Sequence, residues 1–410
     1  MPSFEDARRL ILGHVAVLPA ETVPLHGAAG RVLAADVVMP WDLPGWDNSA
    51  MDGFAVRSAD CTGPARLRVV GYLPAGGLPG AAIGPGQAIR IMTGAPMPPG
   101  ADAVAPLEDV DVDAGVAEAG EEVALRGAVR AGAHVRRRGE DLRSGEVALG
   151  AGTVLGPGEI SVLASAGKVS VAVVRRARVA ILSTGDELVE PGQPVGPGQI
   201  CDSNGVSLAA AVALAGGEPV PLGIARDDRP ALRALLERGL DADALITSAG
   251  VSAGDRDLVR ALLDELSVRQ VFWKVDVKPG RPTAFGLRGA TPVFSLPGNP
   301  VSTLLMFEQF VRPALLRMMG HRKVLRPLRP ALLQEPLAKA LGRVTLVRVR
   351  LSRREDGALL ASTAGNQETG ILKTLLRADG LAIIPAEQGS LAAGQPVPVQ
   401  LLRADLVEEA

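Results

Sequence analysis

Short segments rich in acidic residues and glycine recur where apolar runs of this chain end. Thr184-Gly185-Asp186-Glu187 follows RVAILS, and Arg226-Asp227-Asp228 follows Pro219–Ile224. Ala249-Gly250-Val251-Ser252-Ala253-Gly254-Asp255, with Asp257 just beyond, follows ALITS. Pro297-Gly298-Asn299-Pro300-Val301-Ser302 follows PVFSL, and Lys274, Lys278 and Arg281 flank the turn KPGRP. Small residues let backbone N–H groups approach an anion closely, and a helix starting there adds a favourable dipole. Asp186, Glu187, Asp227, Asp255 and Asp257 offer hard oxygen ligands of the kind Mg²⁺ takes beside substrate phosphates. The lysines and arginines neutralise phosphate or oxyanion charge.

Taken singly, each loop has a plainer reading. An Asp after a strand commonly caps the next helix, and a PGNP is commonly a turn. Four such loops at successive strand ends favour a shared site for an anion and Mg²⁺, because capping does not call for carboxylates and cations together. No GxxxxGK[ST] segment occurs, so nucleotide hydrolysis by a P-loop is not supported. Two further clusters lie upstream. Asp47-Asn48-Ser49-Ala50-Met51-Asp52-Gly53, with Thr93-Gly94-Ala95-Pro96, reads either as a capping-rich turn or as part of a site. Arg136-Arg137-Arg138-Gly139-Glu140-Asp141 reads either as a solvated charge run or as an anion clamp beside a metal ligand.

The elements that must position these residues follow from periodicity. Ser3 with Asp6 three residues on resembles a capping box opening an amphipathic helix. From about 40 to 135, β-type runs such as Arg66–Val70, Ala88–Met92 and Ala103–Leu107 alternate with Gly/Pro clusters, as in a compact β-rich module. A helix is expected around Glu159–Ala166. Beyond it, strands at Arg178–Ser183, Pro219–Ile224, Ala244–Thr247 and Pro292–Ser295 alternate with helices at Ser203–Ala215, Pro230–Leu240, Arg256–Leu266 and Val301–Met319. That alternation implies a parallel sheet covered on both faces, with ligands at the carboxyl ends of its strands. After about 325, runs at Thr345–Leu351, Ala358–Ser362, Gly380–Pro385 and Pro396–Leu402 suggest a small β-barrel or sandwich.

Composition limits the alternatives. At 410 residues the chain exceeds a single core, so two to four domains are expected. A hydrophobic content of 47% with 21% charged residues is that of a folded globular protein. A formal net charge of −2 argues against nucleic acid as a partner, which needs a basic surface. Cys61 and Cys201 form no CxxC pair, which argues against a zinc site or disulfide framework. The amino terminus lacks signal-peptide character, and no run approaches the roughly 18 apolar residues of a membrane span. A cytoplasmic protein without membrane partners is expected.

The segments LPGWDNSAMDGFAV, IRIMTGAPMPPGADAV, VRRRGEDL, STGDEL, SAGVSAGDRD, WKVDVKPGRP and SLPGNPVST occur in this order. Together they resemble the MoeA/gephyrin-type molybdopterin molybdenumtransferases, from near the amino terminus to about residue 320, with a weaker echo in Gly365–Leu372 and Gly380–Pro385. The resemblance implies an α/β plus β multidomain fold. Residues 1–40 and 138–173 would form a discontinuous, elongated linker domain, and 41–137 an inserted β-rich domain. Residues 174–323 would form a doubly wound α/β molybdopterin-binding domain, and 324–410 a small carboxy-terminal β-barrel. It implies a homodimer whose cleft lies between the α/β domain of one subunit and the β-rich domain of the other. The other proteins of molybdenum cofactor biosynthesis would be partners.

The implied reaction hydrolyses adenylylated molybdopterin with Mg²⁺, releases AMP and inserts molybdate into the dithiolene. Asp52, Asp141, Glu187, Lys274 and Lys278 carry over as catalytic residues. Asp186, Asp227 and Asp257 carry over as Mg²⁺ ligands. Thr93, Arg136, Thr184, Gly185, Ser248, Gly250, Ser252, Arg281, Pro297, Gly298, Asn299 and Pro300 carry over as substrate-binding residues. Two departures stand out. Ala249 precedes Gly250 where the family has two glycines, and its methyl either narrows the anion pocket or is tolerated at negative φ. Gln367-Glu368-Thr369-Gly370 replaces a Gly-Ser-Gly run, and the Glu368 carboxylate would repel an oxyanion. A non-catalytic pterin-binding scaffold and a tungstate-handling relative remain as alternatives.

Overall fold

The computed structural model describes residues 1–111, 119–226, 228–249 and 258–402. The strand Arg178–Thr184 illustrates how the α/β portion assembles. Its side chains alternate across the sheet. Val179 and Ile181 enter one core with Leu208, Val212, Val301 and Leu305, from the helices Ser203–Leu214 and Pro300–Met306. Ala180 and Leu182 enter the other, with Leu232 and Leu236 of the helix Arg229–Gly239 and Leu262 of the helix Leu258–Glu265. All five residues of the neighbouring strand Ala244–Ser248 are buried, as a strand covered on both faces requires.

The sheet runs in the order Glu218–Ala225, Arg178–Thr184, Ala244–Ser248, Thr291–Leu296, Ala284–Arg288, Arg269–Phe272. The first four strands are parallel, as expected. The last two are not foreseen by the alternation pattern, and they make the sheet mixed. Ala284–Arg288 is antiparallel to both its neighbours. The reason is local: Arg288 pairs with Thr291 across Gly289 and Ala290 alone, and a two-residue connection makes a hairpin, never a parallel crossover.

The amino-terminal helix Phe4–His14 lays Phe4, Ala7 and Ile11 into the first of those cores, where Phe4 stacks at 5.5 Å from Phe310. Ser3 caps it by accepting from the Asp6 N–H. The reciprocal half of a capping box is replaced, because the Asp6 carboxylate accepts from the Ser3 hydroxyl at 2.8 Å. A Glu would have one more methylene with which to reach back to the backbone. The stretch expected as one helix over Val301–Met319 is helical throughout but carries a π-turn at Phe307–Val311.

Ala20–Pro24 pairs with Ser170–Val174, and Val37–Val38 pairs with Val147–Leu149, so the chain leaves and returns along the same ribbon. Between these lies a six-stranded β module spanning Gly53–Val56 to Glu122–Leu125. At the carboxyl end, strands from Leu328–Leu333 to Pro396–Leu401 close into a barrel, since Val344–Arg353 pairs with both Leu359–Thr363 and Gly380–Ile384. Val277–Lys278, from the loop before KPGRP, adds a parallel strand to that barrel. Among the described residues, no helix is long and apolar enough to cross a membrane.

Candidate active site

The carboxyl ends of the parallel strands open into a cavity of about 620 Å³. Thr184, Glu187, Ser248, Lys274, Arg281 and the segment Pro297–Pro300 all line it, as the sequence led us to expect. Gly185 serves by having no side chain: at φ +146°, a Cβ there would lie 2.5 Å from a Glu187 carboxylate oxygen. Asp186 sits beside it and accepts from Arg226 through its backbone carbonyl at 2.6 Å. Gly250, Ser252, Asp227 and Asp257 lie outside the described residues.

Three lining residues went unread as site residues. Asp202 caps the helix Ser203–Leu214: its carboxylate accepts from the Gly205 N–H at 2.9 Å. It also lines the cavity, so that Glu187 and Asp202 share one cavity with the cations Lys274 and Arg281. Asn204 is buried and holds two strand-end loops together, donating to Ser248 Oγ at 2.8 Å and to the Gly298 carbonyl at 2.7 Å. Its Oδ1 has no partner among the described residues. Cys201 adds an exposed thiol at the rim. The signal available for all three was their position around the start of the helix Ser203–Leu214, which alone points only to capping.

The floor contains a strained residue. Ala249 has φ +72°, not the negative φ that would make its methyl harmless, and a Cβ placed on Gly298 would meet the Ala249 Cβ at 3.2 Å. The αL region costs an L-residue roughly 1–2 kcal/mol.

A second cavity of about 710 Å³ adjoins the first through Arg281, Pro297 and Asn299, and reaches the barrel. Lys278 and Arg343 line it, and so does Glu368. Behind the Glu368 loop stands Arg348, a fully buried guanidinium whose Nη2 donates to the Asn366 and Glu368 carbonyls at 3.3 Å each. Its Nε and Nη1 have no partner among the described residues, and burial lowers its pKa.

On the β module, Thr93 donates to Asp52 Oδ1 from both its N–H and its hydroxyl, each at 2.7 Å. Those bonds, backbone first, hold the Asp52 carboxyl below its ordinary range, and Arg90 adds to the effect. Of the arginine triplet, Arg137 pairs with Asp47 at 2.7 Å and Arg138 with Asp42 at 2.5 Å, so both are taken up by the turn itself. Arg136 is exposed, paired to Asn48 through the backbone, and its side chain has no partner among the described residues. Asp141 is exposed, and its N–H donates to the Leu43 carbonyl. None of Asp52, Thr93, Arg136 and Asp141 lines either cavity.

The donor set suits an anion together with a hard cation. The carboxylates and hydroxyls at the strand ends are oxygen ligands, and Mg²⁺ characteristically takes one or two carboxylates with substrate phosphates. Among the described residues, no three His, Cys, Asp or Glu groups cluster as a self-sufficient metal site.

Known proteins agree with this architecture. A family profile described as the MoeA N-terminal region, domains I and II, matches residues 2–167. A probable molybdopterin binding domain matches 180–317, and the MoeA C-terminal region, domain IV, matches 330–402. Molybdopterin molybdenumtransferase 2 of Mycobacterium tuberculosis is 39% identical over 97% of this chain and 99% of its own. The molybdopterin molybdenumtransferase of Haemophilus influenzae is 35% identical over 98% of both chains. The solved molybdopterin biosynthesis moeA protein of Pyrococcus horikoshii superposes with a TM-score of 0.82 at 30% identity, over 98% of this chain and 100% of its own. Profiles that tile the chain in order, together with full-length relatives well above 30% identity, place this chain in the molybdopterin molybdenumtransferase family.

Proposed function

We propose that this chain, a transferase of molybdenum cofactor biosynthesis, hydrolyses adenylylated molybdopterin, releases AMP and directs molybdate into the dithiolene. The observation that carries the reading is the paired cavity at the strand ends, which Lys274 and Arg281 line together with Glu187 and Asp202. Molybdate is a doubly charged oxyanion, and the pterin phosphate with AMP adds further negative charge. Cations at 274, 278 and 281 neutralise that charge, while the Pro297–Pro300 loop shapes the wall shared by the two cavities. Glu187, which lines the cavity, is assigned to orient the attacking water, and holding the reactants in register would account for a large part of the rate.

Asp186, Asp227 and Asp257 are the residues assigned to Mg²⁺, which would polarise the phosphoryl group and offset the charge of the leaving AMP. Asp52, Thr93, Arg136 and Asp141 are assigned to the same site from a second subunit. The reading has this in its favour: they line neither strand-end cavity of their own chain, yet Asp52 is kept ionised and the Arg136 side chain has no partner among the described residues. Such an enzyme works as a homodimer in the cytoplasm, beside the other proteins of the cofactor route.

The test is direct. Purified protein with Mg²⁺, molybdate and adenylylated molybdopterin should release AMP and yield cofactor that reconstitutes an apo-molybdoenzyme. Binding without AMP release would make it a scaffold. Matched competition between molybdate and tungstate identifies the metal it prefers.

A further inference from the structure

Away from the site just described, a cavity of about 370 Å³ lies where the linker ribbon meets the α/β domain. It shares no residue with the two cavities at the strand ends. Its basic groups are Arg31, Arg176, Arg312 and His321, and no carboxylate side chain lines it. Val154 and Met319 supply part of an apolar wall.

The charges do not balance locally. Arg31 is matched, because it donates to Glu21 and to the Val174 carbonyl at 2.9 Å. Arg312 is not fully matched: Glu308 lies 3.7 Å from it but also 2.7 Å from Arg326, so one carboxylate serves two guanidiniums. Arg176 is exposed, with no side-chain partner among the described residues. The carboxyl end of the helix Ser203–Leu214 forms part of the wall and offers about half a negative charge, against the whole charge of Arg176 and the unmatched part of Arg312. His321 records the imbalance, since burial first and Arg312 second lower its pKa. A neutral imidazole there keeps one N–H to donate.

We propose that this cavity binds a phosphate monoester dianion. Two charges on one small group meet the excess at Arg176 and Arg312, guanidinium forks match phosphate oxygens, and His321 can add a donor. The apolar wall receives the organic part of the ester, which inorganic phosphate lacks. Because the pocket is built from the linker ribbon and the α/β domain together, an occupant would bridge the two.

Calorimetric titration with phenyl phosphate and with inorganic phosphate, at ionic strength held constant with chloride, tests this. The protein should bind phenyl phosphate more tightly than inorganic phosphate. R176E should weaken that binding by about tenfold or more, as loss of a charge partner does, and R176Q should weaken it less. Arg176 is exposed, and thermal melts of both variants report whether the fold is kept. K274A, which alters only the strand-end cavity, should leave the Arg176-dependent part of the binding in place. The proposal is overturned if the unaltered protein shows no binding by about 10 mM, a level near −3 kcal/mol. It is equally overturned if inorganic phosphate binds as tightly, if folded R176E and R176Q bind like the parent, or if K274A abolishes binding and so places the anion in the strand-end cavity.

Discussion

Asn204 donates to the Ser248 hydroxyl at 2.8 Å, and the same Nδ2 reaches the Gly298 carbonyl at 2.7 Å. One amide thereby sets the spacing between the end of the strand Ala244–Ser248 and the Pro297–Pro300 loop, the two edges of the cavity floor. Asn204→Ala strips both acceptors of their donor in a buried place, which costs about 1–3 kcal/mol. Asn204→Asp is expected to be at least as damaging, because a carboxylate cannot donate to the Gly298 carbonyl. Urea denaturation followed by circular dichroism measures the loss. Unchanged midpoints for both variants would remove Asn204 from its positioning role.

Ala249 and Gly298 form a second test of the floor. Ala249→Gly releases the cost of a left-handed alanine and should stabilise the α/β domain by about 1 kcal/mol. Gly298→Ala brings a new Cβ within 3.2 Å of the Ala249 Cβ and should destabilise it. Joined in one protein, Gly298→Ala should cost less than it does in the parent, since the glycine at 249 vacates the space. Additive effects in thermal melts would contradict that coupling.

Asp52 makes a pH prediction. Its carboxyl in the folded chain lies below the ordinary value of 3.8, first because the Thr93 N–H and then because the Thr93 hydroxyl donates to it. A carboxylate depressed in this way contributes stability that is complete above the unfolded value and disappears as pH falls through the lower, folded one. The group therefore stays ionised across the neutral range. Thr93→Val removes the hydroxyl and keeps the backbone donor, so the carboxyl titration seen by NMR should move part of the way back toward 3.8. No movement would mean that the hydroxyl bond does not form in solution.

The intersubunit reading predicts complementation. D52N and K274A should each be inactive alone. Mixed after co-expression, random pairing makes half the dimers heterodimers with one intact site each, so about a quarter of the parent activity should return. Recovery no greater than the sum of the separate variants would confine Asp52 and Lys274 to the same subunit's site, or place one of them outside the reaction.

The strands and the loops that end them were legible in the sequence because both depend on local chemistry. RVAILS and ALITS are apolar over a strand's length and must be covered on two sides, so their carboxyl ends become the ligand-bearing edge. Thr184, Ser248, Lys274 and Pro297 could thus be placed at one site before any fold was known, and they line one cavity. The antiparallel edge was less visible, because its signal was only the two residues Gly289-Ala290 between short apolar runs.

Contacts between segments distant in sequence were decided by the tertiary structure alone. Asn204 looks like any polar residue in a helix's first turn until Ser248 and Gly298 are brought to it. Ala249 takes φ +72° where its N–H donates to the Leu296 carbonyl of the neighbouring strand, a conformation its own side chain opposes. Two arginines of the triplet are held by Asp42 and Asp47, some ninety residues away along the chain, leaving only Arg136 uncommitted. Residue type and spacing determine which groups can do chemistry, whereas long-range packing determines which of them remain free to do it.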